Sequence, residues 1–113
     1  MQGKLTWFEI QDNIAWIKIN REKKLNALNR DLIDELHNRM VDFQNDASVK
    51  VIVITGNGDK AFVAGADISE FSSYGPNEAA ALTKHGNHAL FDFIAQLEKP
   101  VIAAINGYAL GGG

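Results

Sequence analysis

Lys99-Pro100-Val101-Ile102-Ala103-Ala104-Ile105-Asn106-Gly107-Tyr108-Ala109-Leu110-Gly111-Gly112-Gly113 reads as a strand that runs straight into a glycine turn. The proline disfavours helix in the residue before it, so Lys99-Pro100 ends the preceding element. Val101 to Ile105 is apolar throughout, the pattern of a strand buried on both faces. The glycines that follow let the backbone approach a ligand closely and offer its N–H groups to a developing negative charge. Working backwards, Ala61-Phe62-Val63-Ala64-Gly65-Ala66-Asp67 repeats the arrangement behind a second apolar run, Val49 to Thr55. Two turns of this kind in one short chain point to chemistry done by backbone donors.

The remaining segments supply the frame. Leu5 to Ile10 and Ile14 to Ile19 are rich in β-branched and aromatic residues, and Gln11-Asp12-Asn13 separates them with turn chemistry, which predicts a β-hairpin. Asn20 to Leu28 is irregular. Asn29 reads as a helix N-cap, followed by Leu32, Ile33, Leu36, Met40 and Phe43 at helical spacing, with Glu35 placed to pair with Arg39. Asp67 with Glu70 three residues later is a capping-box pattern, so a helix is expected directly after Ala66. Gly75-Pro76 interrupts it, and a longer helix is expected over Asn77 to Leu97, with Leu82, Ala89, Leu90, Phe93, Ile94 and Leu97 inward. Gly86 costs that helix about 1 kcal/mol relative to alanine. The order β-β-α-β-(turn)-α-α-β contains two strand–helix–strand crossovers and so implies a parallel core sheet with the hairpin alongside.

Bulk properties narrow the function classes. At 113 residues one domain is expected, and 46% hydrophobic with 22% charged residues argues against disorder. A net charge of −3 argues against broad nucleic-acid binding, which needs a basic surface. Arg21-Glu22-Lys23-Lys24 is a local basic cluster that reads first as a solvated loop. The absence of cysteine removes disulfides and thiol chemistry together and fits a reducing cytoplasm. Residues 1–7 have no apolar core of signal-peptide length, and no stretch approaches the roughly 20 apolar residues of a membrane helix. A soluble, cytoplasmic chain is expected.

Side-chain chemistry is sparse. Gly56-Asn57-Gly58-Asp59-Lys60-Ala61 matches a dinucleotide-binding turn, but that fingerprint must open a helix at once, and Ala61-Phe62-Val63 looks extended. The serines lack a nucleophile-elbow context. His85 and His88 could share a helix face, yet no carboxylate motif accompanies them, so two ordinary helix residues is the better account than a metal site. The candidate chemistry is therefore carried by two backbone-donor turns, without an evident catalytic side chain.

Three motifs carry a resemblance: Lys24-Leu25-Asn26-Ala27-Leu28-Asn29, Ala61 to Ile68, and Lys99 to Gly113. In this order and spacing the chain closely resembles the enoyl-CoA hydratase/isomerase (crotonase) family over essentially its whole length. The resemblance implies an α/β fold: part of a crotonase-like ββα spiral, with a mainly parallel core sheet and flanking helices. Residues 1–113 would form the N-terminal part of a single such domain, with its C-terminal part absent.

The resemblance further implies a lyase of fatty-acid β-oxidation. It would reversibly hydrate a trans-2-enoyl-CoA to a 3-hydroxyacyl-CoA through an enolate held by the N–H groups of Ala66 and Gly112. Preorganised donors of this kind are worth about 3 kcal/mol each, and a helix starting at Asp67 would assist the anion through its dipole. Lys24, Leu25 and Ala27 resemble the loop that wraps coenzyme A, and Ala64, Asp67, Ile68 and Ser69 the stretch at its entrance. Glu22 stands where many relatives have proline, and Ser69 where some hydratases have lysine. The partner implied is an acyl-CoA thioester, with no separate cofactor and no metal, because coenzyme A is part of the substrate. The parent would be a homotrimer or dimer of trimers. The family's two water-holding glutamates would fall beyond Gly113, so this chain alone is expected to be inactive. Sibling reactions on the same oxyanion hole, double-bond isomerisation or thioester hydrolysis, are the alternatives, as is a non-catalytic coenzyme A-binding or subunit-interaction module.

Overall fold

A computed structural model describes residues 5–113 of the chain. Residues 1–4, at the head of the segment read as lacking a signal-peptide core, lie outside the described residues.

The chain opens as the expected hairpin. β1 (Thr6–Gln11) pairs antiparallel with β2 (Ile14–Ile19), in register from Thr6 opposite Ile19 to Gln11 opposite Ile14. The connecting Asp12 and Asn13 both take positive φ, 54° and 67°, which is the two-residue turn whose twist matches the strands. A short 3₁₀ turn over Glu22–Lys24 leads into Leu25 and Asn26, again both at positive φ. α1 (Arg30–Gln44) then begins where Asn29 caps it, its side-chain oxygen accepting from the Leu32 N–H at 2.9 Å.

The sheet is mainly parallel. β3 (Val51–Gly56) lies parallel to β2. β4 (Ala61–Val63) leaves the sheet, and α2 (Ile68–Phe71) follows it. The expected long helix runs as α3 (Pro76–Gly86), a π-helical segment Asn87–Asp92, and α4 (Phe93–Gln96). β5 (Val101–Ala104) returns parallel to β3, which gives the strand order β1-β2-β3-β5. β6 (Tyr108–Ala109) pairs with β4 in a separate two-stranded sheet that the sequence pattern did not disclose. Strands of two and three residues are too short to carry a readable period.

The core lies between α1 and the sheet. Leu32, Ile33, Leu36, Met40 and Phe43 of α1 are buried as their spacing predicts, against Ala15, Ile17, Ile19, Ile52 and Ile54. Each such large aliphatic contributes about 2 kcal/mol by leaving water. Leu82, Ala89 and Leu90 close one side, with Phe93, Ile94 and Leu97 partly buried against them. Gly86 is buried beside α1, where a Cβ would meet Ile33 Cδ1 at 3.4 Å. Its helix-propensity cost is thus spent at a close helix contact. The carboxylate of Glu35 holds the start of β1, accepting from the Leu5 N–H at 3.0 and 3.1 Å and from the Thr6 hydroxyl. Arg39 lays its guanidinium over the Phe8 ring at 4.3 Å.

One expectation is corrected. Val101 to Ile105 is not a strand buried on both faces: Ile102 is 52% exposed and Ile105 62%, and the strand ends at Ala104. β5 is an edge strand, hydrogen-bonded to β3 alone, and nothing among the described residues covers its outer face. Apolar composition reports the capacity to be covered, not the cover itself.

Candidate functional site

The two small-residue turns meet in space. Leu110 N–H donates to the Val63 carbonyl at 3.0 Å, extending the contact of β4 with β6. Gly65 and Gly111 then face each other, at φ +111° and +54°; a Cβ on Gly111 would lie 3.6 Å from Gly65 Cα. These glycines satisfy two demands at once, a left-handed backbone and a close backbone-to-backbone approach.

Ala66 and Gly112, the next residue in each turn, line the same cavity of about 170 Å³. Leu28, Ile33, Leu82, Gly86 and Phe91 give it apolar walls, with Glu70, Thr83 and Asn87 as polar edges. Neither the Ala66 nor the Gly112 N–H has an acceptor among the described residues, although their neighbours do: Asp67 N–H donates to the Leu28 carbonyl at 2.8 Å and Gly113 N–H to the Leu110 carbonyl at 2.8 Å. Gly112 packs against the wall itself, since a Cβ there would come to 3.0 Å from Phe91 Cζ. A second apolar cavity of about 190 Å³ shares Leu28, Phe91 and Gly112 with the first.

The Lys24 to Ala27 loop is brought against the Ala64 to Asp67 turn. Ala64 N–H donates to the Leu25 carbonyl at 3.2 Å and Leu28 N–H to the Gly65 carbonyl at 2.8 Å, so that Leu28 and Ala66 form an isolated parallel bridge. Lys24 and Leu25 are exposed beside this bridge, whereas Ile68, 83% exposed, and Ser69 lie towards solvent and do not line the cavity.

Asp67 does several jobs at once. One carboxylate oxygen caps α2, accepting from Ser69 N–H at 3.0 Å and Ser69 Oγ–H at 2.6 Å; the other pairs with Arg21 Nη2 at 2.6 Å. The Ser69 hydroxyl and then the Arg21 guanidinium hold its carboxyl below the usual aspartate range, against the opposing effect of burial. The anticipated capping box is not closed by Glu70. That carboxylate accepts instead from the Arg30 N–H at the start of α1, at 3.1 Å from each oxygen. α2 has only four residues, too few for the dipole assistance expected of a helix starting at Asp67.

Sequence reasoning passed over two residues that build this site. Asn26, 1% exposed, donates through Nδ2 to the carbonyls of Asn57 at 3.1 Å and Ala61 at 2.9 Å and accepts from the Arg21 N–H at 3.0 Å. An asparagine in a short irregular segment is a known candidate for the left-handed conformation, and that was its one available signal. Arg21 belongs to the basic cluster expected to be solvated, yet its side chain is only 15% exposed. Its partner stands 46 residues away, and no local pattern reports such a pair.

Gly56, part of the dinucleotide-like pattern, serves packing. A Cβ there would meet the carbonyl oxygens of Ala61 at 2.7 Å and Phe62 at 2.8 Å. Of the two paired histidines, His85 contacts Asp34 Oδ1 at 2.5 Å on α1.

Comparison with known proteins follows the same lines. Residues 9–113 match the family model described as Enoyl-CoA hydratase/isomerase. The chain is 44% identical over 105 residues to a crotonyl-CoA hydratase of Syntrophomonas wolfei, and 46% identical over 105 residues to a short-chain-enoyl-CoA hydratase of Clostridium acetobutylicum. Each alignment covers 93% of this chain and 40% of the relative. The crystal structure of an enoyl-CoA hydratase from Bacillus anthracis superposes with a TM-score of 0.92 at 34% identity, over 97% of this chain and 43% of that one. The chain thus spans about 40% of the length of these relatives.

Proposed function

The chain belongs to the enoyl-CoA hydratase/isomerase family, and on that premise we propose that it binds an acyl-CoA thioester and stabilises its enolate between the N–H groups of Ala66 and Gly112. One observation carries this reading: two backbone donors, each without an acceptor among the described residues, line one apolar cavity. Preorganised donors cost nothing to reorient as charge develops on the thioester oxygen, and each is worth about 3 kcal/mol. For the whole protein we propose the reversible hydration of a trans-2-enoyl-CoA.

The loop Lys24, Leu25 and Ala27, with Ala64, Asp67, Ile68 and Ser69 beside it, forms the proposed coenzyme A contact, largely through backbone. The coenzyme is part of the substrate, so no separate cofactor enters the proposal. No helix among the described residues is long and apolar enough to cross a membrane. A cytoplasmic setting and a trimer or dimer of trimers are proposed for the whole protein, to be checked by fractionation and by mass in solution.

Titration calorimetry with acetoacetyl-CoA, whose β-ketothioester carries enolate character, tests the site. Saturable binding that weakens on Gly112→Pro, which removes the donor, is the expected result. Absence of binding at millimolar ligand would overturn the proposal. Assays with crotonyl-CoA, a 3-enoyl-CoA and a saturated acyl-CoA separate hydration from isomerisation and thioester hydrolysis.

A further inference from the structure

Arg21 stands at the junction of the two segments that make the proposed site. Its Nη2 donates to Asp67 Oδ2 at 2.6 Å, and its Nη1 donates to the Ala27 carbonyl at 2.7 Å. Its own backbone is locked in turn. The Arg21 N–H is held by Asn26 Oδ1 at 3.0 Å, and the Arg21 carbonyl accepts from Lys24 and Asn26 N–H at 3.0 and 2.9 Å. One guanidinium therefore ties the Lys24–Ala27 loop to the residue that follows Ala66. The pair is largely withdrawn from water, at 15% and 9% side-chain exposure.

A planar guanidinium suits this task. It presents donors in a fixed fork, here divided between a carbonyl and a carboxylate. With α2 reduced to four residues, helix geometry supplies little rigidity to the Ala64–Asp67 turn. That turn is held by three backbone bonds to the loop, from Ala64, Leu28 and Asp67 N–H, together with the Arg21–Asp67 pair.

We infer that Arg21 is a positioning residue: it clamps the Lys24–Ala27 loop to the Ala64–Asp67 turn, and so fixes the direction of the Ala66 N–H while coupling it to the segment proposed to hold coenzyme A. This rests on the enolate-binding reading for its functional consequence, but the clamp itself is testable without ligand. Stabilisation at the thioester oxygen then depends on one side chain that does not touch it, while the backbone bonds from Ala64, Leu28 and Asp67 N–H keep the loop itself in place.

The test uses the full 113-residue chain and the variants Arg21→Met, Arg21→Lys and Asp67→Asn. Without ligand, amide hydrogen exchange is followed at Leu28 and Asp67, which bridge the two segments, and at Ile52 to Ile54 in the sheet. Arg21→Met is expected to speed exchange at Leu28 and Asp67 at least tenfold while leaving the sheet amides within twofold. Arg21→Lys is expected to recover only part of the protection, because an ammonium cannot span both acceptors in the fork geometry. Asp67→Asn keeps a cap oxygen and removes the charge, so it reports on the clamp even if Arg21→Met fails to fold. Unchanged exchange at Leu28 and Asp67 in a folded variant overturns the inference. With ligand, Arg21→Met is expected to lose affinity for acetoacetyl-CoA at least tenfold and for free coenzyme A less than threefold. Equal losses for both ligands would reduce Arg21 to a purely structural role. A wild-type chain that binds neither ligand refutes the enolate reading, while the exchange result still decides the clamp.

Discussion

Gly112 lies against the ring of Phe91 and the methyl of Leu28: a Cβ on Gly112 would come to 3.0 Å from Phe91 Cζ and 3.2 Å from Leu28 Cδ1. Its φ is not in the left-handed region, so the cost of a side chain there is purely steric. Gly112→Ala should cost about 1 kcal/mol of stability, because a ring edge can give by a few tenths of an ångström. Acetoacetyl-CoA affinity should fall by more than that cost implies, since the displaced wall is the cavity's own. Phe91→Leu in the same chain should recover most of the affinity, as read by calorimetry beside thermal melts.

Asn26 is expected to be the most sensitive polar position of the loop. Asn26→Ala leaves the Arg21 N–H without its acceptor and removes a donor from the half-buried Asn57 carbonyl and from the buried Ala61 carbonyl, which keeps Asn106 Nδ2, and should cost about 2 kcal/mol. Asn26→Gly tolerates the φ of +56° without strain yet loses the same bonds, so it should cost nearly as much. Urea midpoints of the two variants separate the hydrogen bonds from the backbone conformation.

Acid sensitivity should pass through Asp67. Its carboxyl titrates below the ordinary range in the folded chain, through Ser69 and then Arg21, so the unfolded chain binds more protons as pH falls into the usual carboxylate range. Its stabilising contribution is complete above the unfolded pKa, near 3.9, and disappears as pH falls through the lower folded value. Asp67→Asn should therefore be less stable near neutrality and show a flatter dependence below about pH 5. Urea titrations from pH 3 to 7 check the slope.

Gly56→Ala should destabilise by about 3 kcal/mol, at the upper end of overpacking costs, because two of the three atoms it meets are backbone carbonyl oxygens that cannot rotate away. Adding a dinucleotide should not raise the melting temperature of the wild-type chain, which separates a packing glycine from a phosphate-binding one.

His37 should hold the π-helical segment. Its Nδ1 lies 2.7 Å from the Ala89 carbonyl, which can only accept, so Nδ1 carries the proton. The ring also packs on Phe93 at 4.4 Å between centroids. His37→Leu should cost about 1 kcal/mol by removing that hydrogen bond, and long-range nitrogen–proton NMR on the wild type should show the Nδ1–H form.

How much of this was legible in the sequence depends on the range over which each residue acts. The hairpin, the Asn29 cap, the inward face of α1 and the mainly parallel sheet were readable because turn chemistry, caps and hydrophobic period act within a few residues. The two small-residue turns were readable for the same reason: glycine is demanded locally by backbone shape, as at Gly65 and Gly111. Tertiary structure alone decided that these turns touch, that Ala66 and Gly112 share a cavity, and that the outer face of β5 is open. It alone took Arg21 out of solvent and gave Glu70 to Arg30 instead of Asp67. Those facts rest on groups 40 or 46 residues apart, where the chain's return path, and not any local preference, determines which donor meets which acceptor.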